Sequence, residues 1–402
     1  MDVKTAFLYG LIEEVIYVEQ PDEFNKDNPH KVCKLNRALY GLKQAPRIWY
    51  LTLSNFLKSL GFTALDSDLA IFAKGNVFIA IYVDDLLIAG PNLQEIGWLK
   101  TALSKRFHMT DLGECSYYLG MTVKRDRANK RLALSQEAYI NRMLSDFGMK
   151  DCKPAATPMD KNLKIEPNDP SFKASADVCQ KFAKAIGTLM YLMLGTRPDI
   201  AYAVAYLSRW MANPTPTCET ALKRLFRYLQ GTRTLELTFQ GELGPLVGYT
   251  DADWGGDPQT RRSTSGYTFS MGSAVISWSS KRQLTVALSS CEAEYMGETQ
   301  ATKEAVWLRS LLKEMNHEQL RATIIFGDNQ GAIALAKNPQ YHARTKHISI
   351  QQHYVREVVE AGEVKMEFIP TSKMIADGLT KPLPRPAFEK FRSLLGLIPS
   401  KG

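Results

Sequence analysis

Two apolar runs, Phe78-Ile79-Ala80-Ile81-Tyr82-Val83 and Leu86-Leu87-Ile88-Ala89-Gly90, are separated only by Asp84 and Asp85. Runs of this length, rich in β-branched and aromatic residues, read as strands. Joined by two residues, they read as a hairpin. Tight hairpin tips favour Asn-Gly or Asp-Gly because the turn needs positive φ. Asp-Asp is poor turn chemistry, and two adjacent carboxylates repel unless a cation offsets them. Carboxylate oxygens suit Mg²⁺ or Mn²⁺, and paired metals serve phosphoryl transfer by activating a hydroxyl and stabilising the leaving group. On chemistry alone, a metal site and a solvated acidic turn remain equal alternatives.

A second group of acids lies far along the chain. Tyr249-Thr250-Asp251-Ala252-Asp253-Trp254 places two acids at strand spacing on one face. Ser289-Ser290-Cys291-Glu292-Ala293-Glu294-Tyr295 opens a helical stretch, with Ser289 or Ser290 a candidate N-cap. Phe326-Gly327-Asp328-Asn329-Gln330 ends a strand and begins a helix, and Ile375-Ala376-Asp377-Gly378-Leu379 lies near the C-terminus. Singly, each acid has an ordinary explanation. Asp328 fits a cap, Glu294 a first turn favoured by the helix dipole, and Asp377 a solvated surface.

Between these groups, helical patterns are predicted over 46–60, 93–107, 135–147, 181–194, 198–211 and 217–230, with a Pro- and Lys-rich linker over 151–177. Strand-like alternation at Val275, Ile276 and Trp278, and again over 285–288, precedes a long helix over 292–315. A strand over 322–326 and a helix over 330–337 follow. The net charge is −2 over residues 1–90, +7 over 91–245 and +3 over 246–402. A basic middle between two acid-bearing segments suits phosphate tracking, although a solvated basic face explains it as well. The six cysteines form no C-x-x-C pair, which argues against a zinc site or a disulfide framework. His342, His347 and His353 likewise have no cysteine nearby, so zinc is set aside. The chain starts without a basic region leading into an apolar core, and the apolar run 77–90 is too short to span a bilayer. A soluble protein, neither secreted nor membrane-bound, is expected.

Tyr82-Val83-Asp84-Asp85 resembles the Y-x-D-D motif of reverse transcriptases. Residues 1–8, Met-Asp-Val-Lys-Thr-Ala-Phe-Leu, resemble that family's first catalytic motif, and residues 39–46, Leu-Tyr-Gly-Leu-Lys-Gln-Ala-Pro, its nucleotide- and template-binding segment in the copia branch. The order and spacing, with Val18-Glu19-Gln20-Pro21 between, carry the match. The later acids resemble a four-carboxylate RNase H site. Asp251-Ala252-Asp253-Trp254, residues 261–267 (Arg-Arg-Ser-Thr-Ser-Gly-Tyr) and Arg344-Thr345-Lys346-His347 are similar to copia-type text. The family more often has Thr where Cys291 stands and Asp where Ser349 stands, and neither departure removes a proposed ligand.

The resemblance implies that Asp2, Asp84 and Asp85 hold one pair of Mg²⁺ or Mn²⁺ ions, and Asp251, Glu294, Asp328 and Asp377 a second. Asp253 would support these ligands. It implies nucleotide or template contacts for Phe7, Gly41, Lys43, Gln44 and Tyr82, with Phe7 a gate beneath the incoming sugar. Hybrid contacts are implied for Arg261, Arg262, Arg344 and Lys346. For Phe7 the ordinary reading is a core aromatic, for Gly41 a turn glycine, and for the basic residues charged surface loops.

The expected fold is multidomain, α+β and α/β. It comprises a reverse-transcriptase palm and thumb without complete fingers over 1–148, and a basic helical linker and connection over 149–240. An RNase H-like mixed-sheet domain follows over 245–385, then a C-terminal tail over 386–402. The implied partners are RNA template, DNA primer, RNA–DNA hybrid and dNTPs, with association with other retrotransposon Pol or capsid proteins. The implied location is a cytoplasmic virus-like particle or the nucleus. Because Asp2 directly follows Met1, weak anchoring of this acid and loss of polymerase activity through truncation are expected, with RNase H activity surviving. The alternative is a non-catalytic nucleic-acid-binding relic.

Overall fold

The computed structural model describes residues 1–22, 24, 30–163, 165–166, 172–337 and 349–400, and the side chains of 349–352 are not among those described. The chain divides into two compact units, Met1–Cys115 with Arg309–Glu318, and Ser116–Leu308 with Gln319–Gly402.

The first unit is built on a six-stranded antiparallel sheet. Its spatial order is Thr63–Ala64, Ile71–Lys74, Val77–Tyr82, Asp85–Ala89, Asp2–Val3 and Met109–Thr110. Helix Ala45–Ser59 buries Ala45, Trp49, Leu53 and Leu57, a four-residue spacing that makes one apolar stripe. Pro46 sits in its first turn, where no donor is missed. Helix Leu93–Arg106 starts at Asn92, whose side chain accepts from the Gln94 N–H at 2.9 Å, and buries Leu99 and Leu103. These stripes meet Phe72, Ile79, Leu86 and Phe107 in one core. Trp49 and Phe107 pack edge to face, their ring centres 5.3 Å apart.

The second unit holds two five-stranded sheets. One runs Leu397–Pro399, Leu235–Gln240, Arg131–Ser135, Met121–Asp126, Tyr117–Tyr118, with every pair antiparallel. The other runs Val275–Arg282, Thr264–Met271, Leu246–Ala252, Thr323–Gly327, Val364–Phe368. Its first three strands are antiparallel, and Thr323–Gly327 is parallel to both neighbours. That mixed order puts the C-terminal ends of Leu246–Ala252 and Thr323–Gly327 side by side.

A continuous core joins the helices Glu137–Asp146, Ala176–Gly195, Ala201–Ser208, Pro216–Gly231 and Arg385–Leu394. Within it, Arg197 and Asp199 form a fully buried bidentate ion pair. Tyr228 donates its hydroxyl to Asp199, and Arg197 also donates to the Thr232 carbonyl at 3.0 Å. Every charge in this network has partners, which is the condition under which buried ions persist.

Two local expectations differ from what is observed. Residues 285–288 form no strand, because no neighbouring strand offers them a ladder. Residues 386–402, expected as a tail, include part of helix Arg385–Leu394 and the strand Leu397–Pro399, with Phe388, Phe391, Leu395 and Leu397 buried. Among the described residues, no helix is long and apolar enough to cross a membrane.

Candidate functional site

In the first unit, Tyr82 lies opposite Asp85 across the hairpin. The two loop residues are therefore Val83 and Asp84, and Asp85 already belongs to the second strand. Val83 has φ of +55°. A β-branched residue there is strained, at a cost of about 1–3 kcal/mol. Three bonds hold the turn against that strain. The Trp49 indole N–H donates to the Val83 carbonyl at 2.6 Å, the Val3 N–H donates to Asp84 at 2.9 Å, and the Leu86 N–H donates to Met1 at 2.8 Å.

Asp2 faces Asp85 on one side and Thr110 on the other. The expected weak anchoring of Asp2 is thus corrected. Its strand has two residues, but both edges are paired. Burial, followed by the charges of Asp84 and Asp2, pushes the Asp85 carboxyl above its usual range.

Around this hairpin, Phe7 sits in the turn Ala6–Tyr9, buried, with its ring 4.4 Å from that of Tyr40. Gly41 has φ of +97° with open space where a Cβ would lie, so backbone conformation alone asks for glycine. Lys43 is exposed, and Gln44 precedes helix Ala45–Ser59 without a side-chain cap bond. Tyr82 is 59% exposed.

The second site is enclosed. Asp251 lies near the end of Leu246–Ala252, Glu294 in the first turns of Ser290–Glu314, and Asp328 directly after Thr323–Gly327. Ligand oxygens of these three lie within 4.8 Å of one another, the one such trio among the described residues. Ser289 caps the helix, its hydroxyl accepting from the Glu292 N–H at 3.1 Å. Glu294 accepts from the Ala252 N–H at 3.1 Å. Thr371 donates to Asp328 at 2.7 Å, and the Thr380 hydroxyl donates to Asp251. Asp377 sits in the turn Ile375–Leu379 rather than a regular helix, outside the trio, and pairs with Lys381 at 2.7 Å. Gly266 lets that turn approach the sheet, since a Cβ there would meet the Leu379 Cβ at 2.6 Å.

Burial, then Asp377, pushes the Asp251 carboxyl up, while Lys381 and the Thr380 hydroxyl pull the other way. Glu294 is raised by burial and then by Asp251 and Asp328. Glu298, one turn further along the helix, is raised to about 8 by burial, and its Oε2 has no hydrogen-bond partner among the described residues. Three crowded carboxylates of this kind take up protons or cations, and an all-oxygen donor set matches a hard divalent ion.

Asp253 does not join the trio. It accepts from the Thr264 N–H at 2.6 Å, while Arg209 donates to the Thr264 hydroxyl at 3.0 Å. Arg261 is exposed with φ of +55°, and Arg262 is half-buried. Arg344 and Lys346, with His342 and His347, lie outside the described residues. Trp49, Glu298, Thr380 and Lys381 had not been singled out from the sequence. The Thr and Lys directly after Asp377-Gly378-Leu379 were the one available signal.

A family model described as "Reverse transcriptase (RNA-dependent DNA polymerase)" matches residues 1–161. The chain is 44% identical over 406 residues to the retrovirus-related Pol polyprotein from transposon TNT 1-94 of Nicotiana tabacum, covering 99% of this chain and 30% of that polyprotein. It therefore spans about a third of that relative's length. It is 34% identical over 312 residues to a putative transposon Ty5-1 protein of Saccharomyces cerevisiae, covering 76% of this chain and all of that one. Among solved structures, a foamy viral protease-reverse transcriptase in complex with RNA/DNA hybrid aligns at a TM-score of 0.50 and 11% identity, over 92% of this chain and 43% of that chain, a likeness of fold. With its hairpin of adjacent acids and relatives along nearly its whole length, the chain belongs to the reverse transcriptase family of copia-type retrotransposon Pol polyproteins.

Proposed function

We propose that the chain is the polymerising and hybrid-cleaving portion of such a Pol protein. It would act as an RNA-directed DNA polymerase at Asp2, Asp84 and Asp85, and as a ribonuclease H at Asp251, Glu294, Asp328 and Asp377. The convergence of three carboxylates from three separate elements carries the reading. Their burial, and then their mutual repulsion, disfavours the uncompensated negative charge, which a divalent cation would offset. Bound there, Mg²⁺ or Mn²⁺ would supply charge neutralisation and an activated oxygen nucleophile.

The protein's own groups do the rest. Ala252 and Thr380 orient Glu294 and Asp251, and Lys381 holds Asp377 beside them. At the first site, the strained turn keeps Asp84 and Asp85 beside Asp2. Lys43 and Tyr82 are exposed where template and nucleotide would arrive, and Phe7 and Gly41 shape the neighbouring backbone. Residues 1–148 are assigned to polymerisation and 245–385 to hybrid cleavage, with RNA template, DNA primer and dNTPs as substrates of the first. The test is cleavage of a labelled RNA–DNA hybrid and primer extension on poly(A), each with Mg²⁺. We expect both, with each abolished by chelation. Hybrid binding without cleavage would overturn the reading in favour of a non-catalytic relic.

A further inference from the structure

Residues 284–288, Leu-Thr-Val-Ala-Leu, alternate like a strand yet lie in the loop between Val275–Arg282 and Ser290–Glu314. Leu284 is 81% exposed, Val286 45% and Leu288 72%, while Ala287 is buried with Ala252 and Ala293. Trp254, 62% exposed and three residues after Asp251, donates its indole N–H to the Ala287 carbonyl at 3.3 Å. Four large apolar side chains thus face outward on two bonded loops. One loop leaves the strand of Asp251, and the other enters the helix of Glu294. An exposed apolar group of this size beside polar chemistry marks a contact surface.

Its position selects the occupant. Ala287 of the second loop packs against Ala252 and Ala293, the neighbours of Asp251 and Glu294, so a strand whose phosphate reached the Asp251–Glu294–Asp328 trio would pass beside these loops. Exposed Arg261 and Lys281 flank them and suit a polyanion. We propose that Trp254 and the loop Leu284–Leu288 form a nonpolar platform for the sugar and base edges of an RNA–DNA hybrid, an inference that rests on the ribonuclease reading above. It supplies affinity that is independent of phosphate charge, through apolar area removed from water.

The test measures binding of a fluorescent RNA–DNA hybrid to the full chain in an Asp251→Asn background, across a salt series. Trp254→Ala, and separately Leu284→Ser with Leu288→Ser, should weaken binding about tenfold with the salt slope unchanged. Trp254→Phe, which keeps a ring face but loses the bond to Ala287, should retain most of it. The double Leu variant leaves the Trp254 bond intact and so separates contact from loop stability. In the Asp251 protein the same changes should raise KM rather than lower kcat. Unchanged affinity in both variants overturns the platform, as does a loss confined to kcat. A wild-type dimer that falls to monomer in the double Leu variant also overturns it, assigning the patch to a second copy. Failure of the unmodified chain to bind or cleave hybrid removes the ribonuclease reading itself.

Discussion

The two acid sites of this chain solve the same electrostatic problem in opposite ways. Asp84 and Asp85 stand on an exposed hairpin, and their position is enforced by backbone: a left-handed Val83 pinned by Trp49 and a two-residue strand paired on both edges. Asp251 and Glu294 are almost wholly buried, positioned by packing of a helix, two strand ends and a glycine-accommodated turn. Solvent shares the charge burden at the first site. At the second, the protein bears it, and burial pushes both carboxyls above their usual range. The comparison teaches that the enclosed site should depend more steeply on cation and pH, and the hairpin site more on local hydrogen bonds.

The largest expected effect separates the two chemistries. On the proposed two-site reading, Asp251→Asn should cut hybrid cleavage about 10³-fold, the loss expected if this carboxylate holds a divalent ion, and leave primer extension unchanged. Parallel assays check this, and equal losses in both would break the division into two sites. Next, Arg197→Met strands Asp199 and Tyr228 without their cation. It should destabilise the second unit by about 3–5 kcal/mol in urea unfolding, while the first unit's transition stays in place.

A smaller effect concerns pH. The folded pKa values of Asp251 and Glu294 lie above their unfolded values near 4, so between the two the folded state binds more protons. Stability without metal should therefore fall as pH rises through neutrality, by up to about 1.4 kcal/mol per pH unit for each proton held. Melting curves check the sign, and Mg²⁺ should stabilise more at pH 8 than at pH 6. A slope that survives Asp251→Asn combined with Glu294→Gln would assign the pH response to other groups. The smallest is Trp49→Phe, which keeps the edge-to-face ring packing but frees the Val83 carbonyl. About 1 kcal/mol of stability and a few-fold in primer extension should go, with hybrid cleavage intact.

Much of this is legible in the sequence. Asp251, Glu294 and Asp328 were gathered by the resemblance of their order to a four-carboxylate RNase H site, each acid having an ordinary reading on its own. The partners that hold them were not. Thr380 meets Asp251 across 129 residues, and Trp49 meets a carbonyl, which leaves no trace in side-chain pattern. Residues 285–288 misled for a different reason, since alternation signals a strand only where a neighbour supplies hydrogen bonds and a face to bury. The strand after 394 read as part of a tail because it has three residues, too few for periodicity.

The pairing of Leu397–Pro399 with Leu235–Gln240 bears on biosynthesis. Until residues 397–399 have been synthesised, Leu235–Gln240 lacks one of its two neighbours and presents an open edge. Synthesis of the intervening stretch of about 160 residues takes roughly 10–30 s, a long exposure for a strand able to pair with other chains. A premature stop that spared every acid proposed as a ligand, yet fell before residue 397, would make the edge permanent. Loss of function in such elements can therefore begin as aggregation of a chemically intact protein.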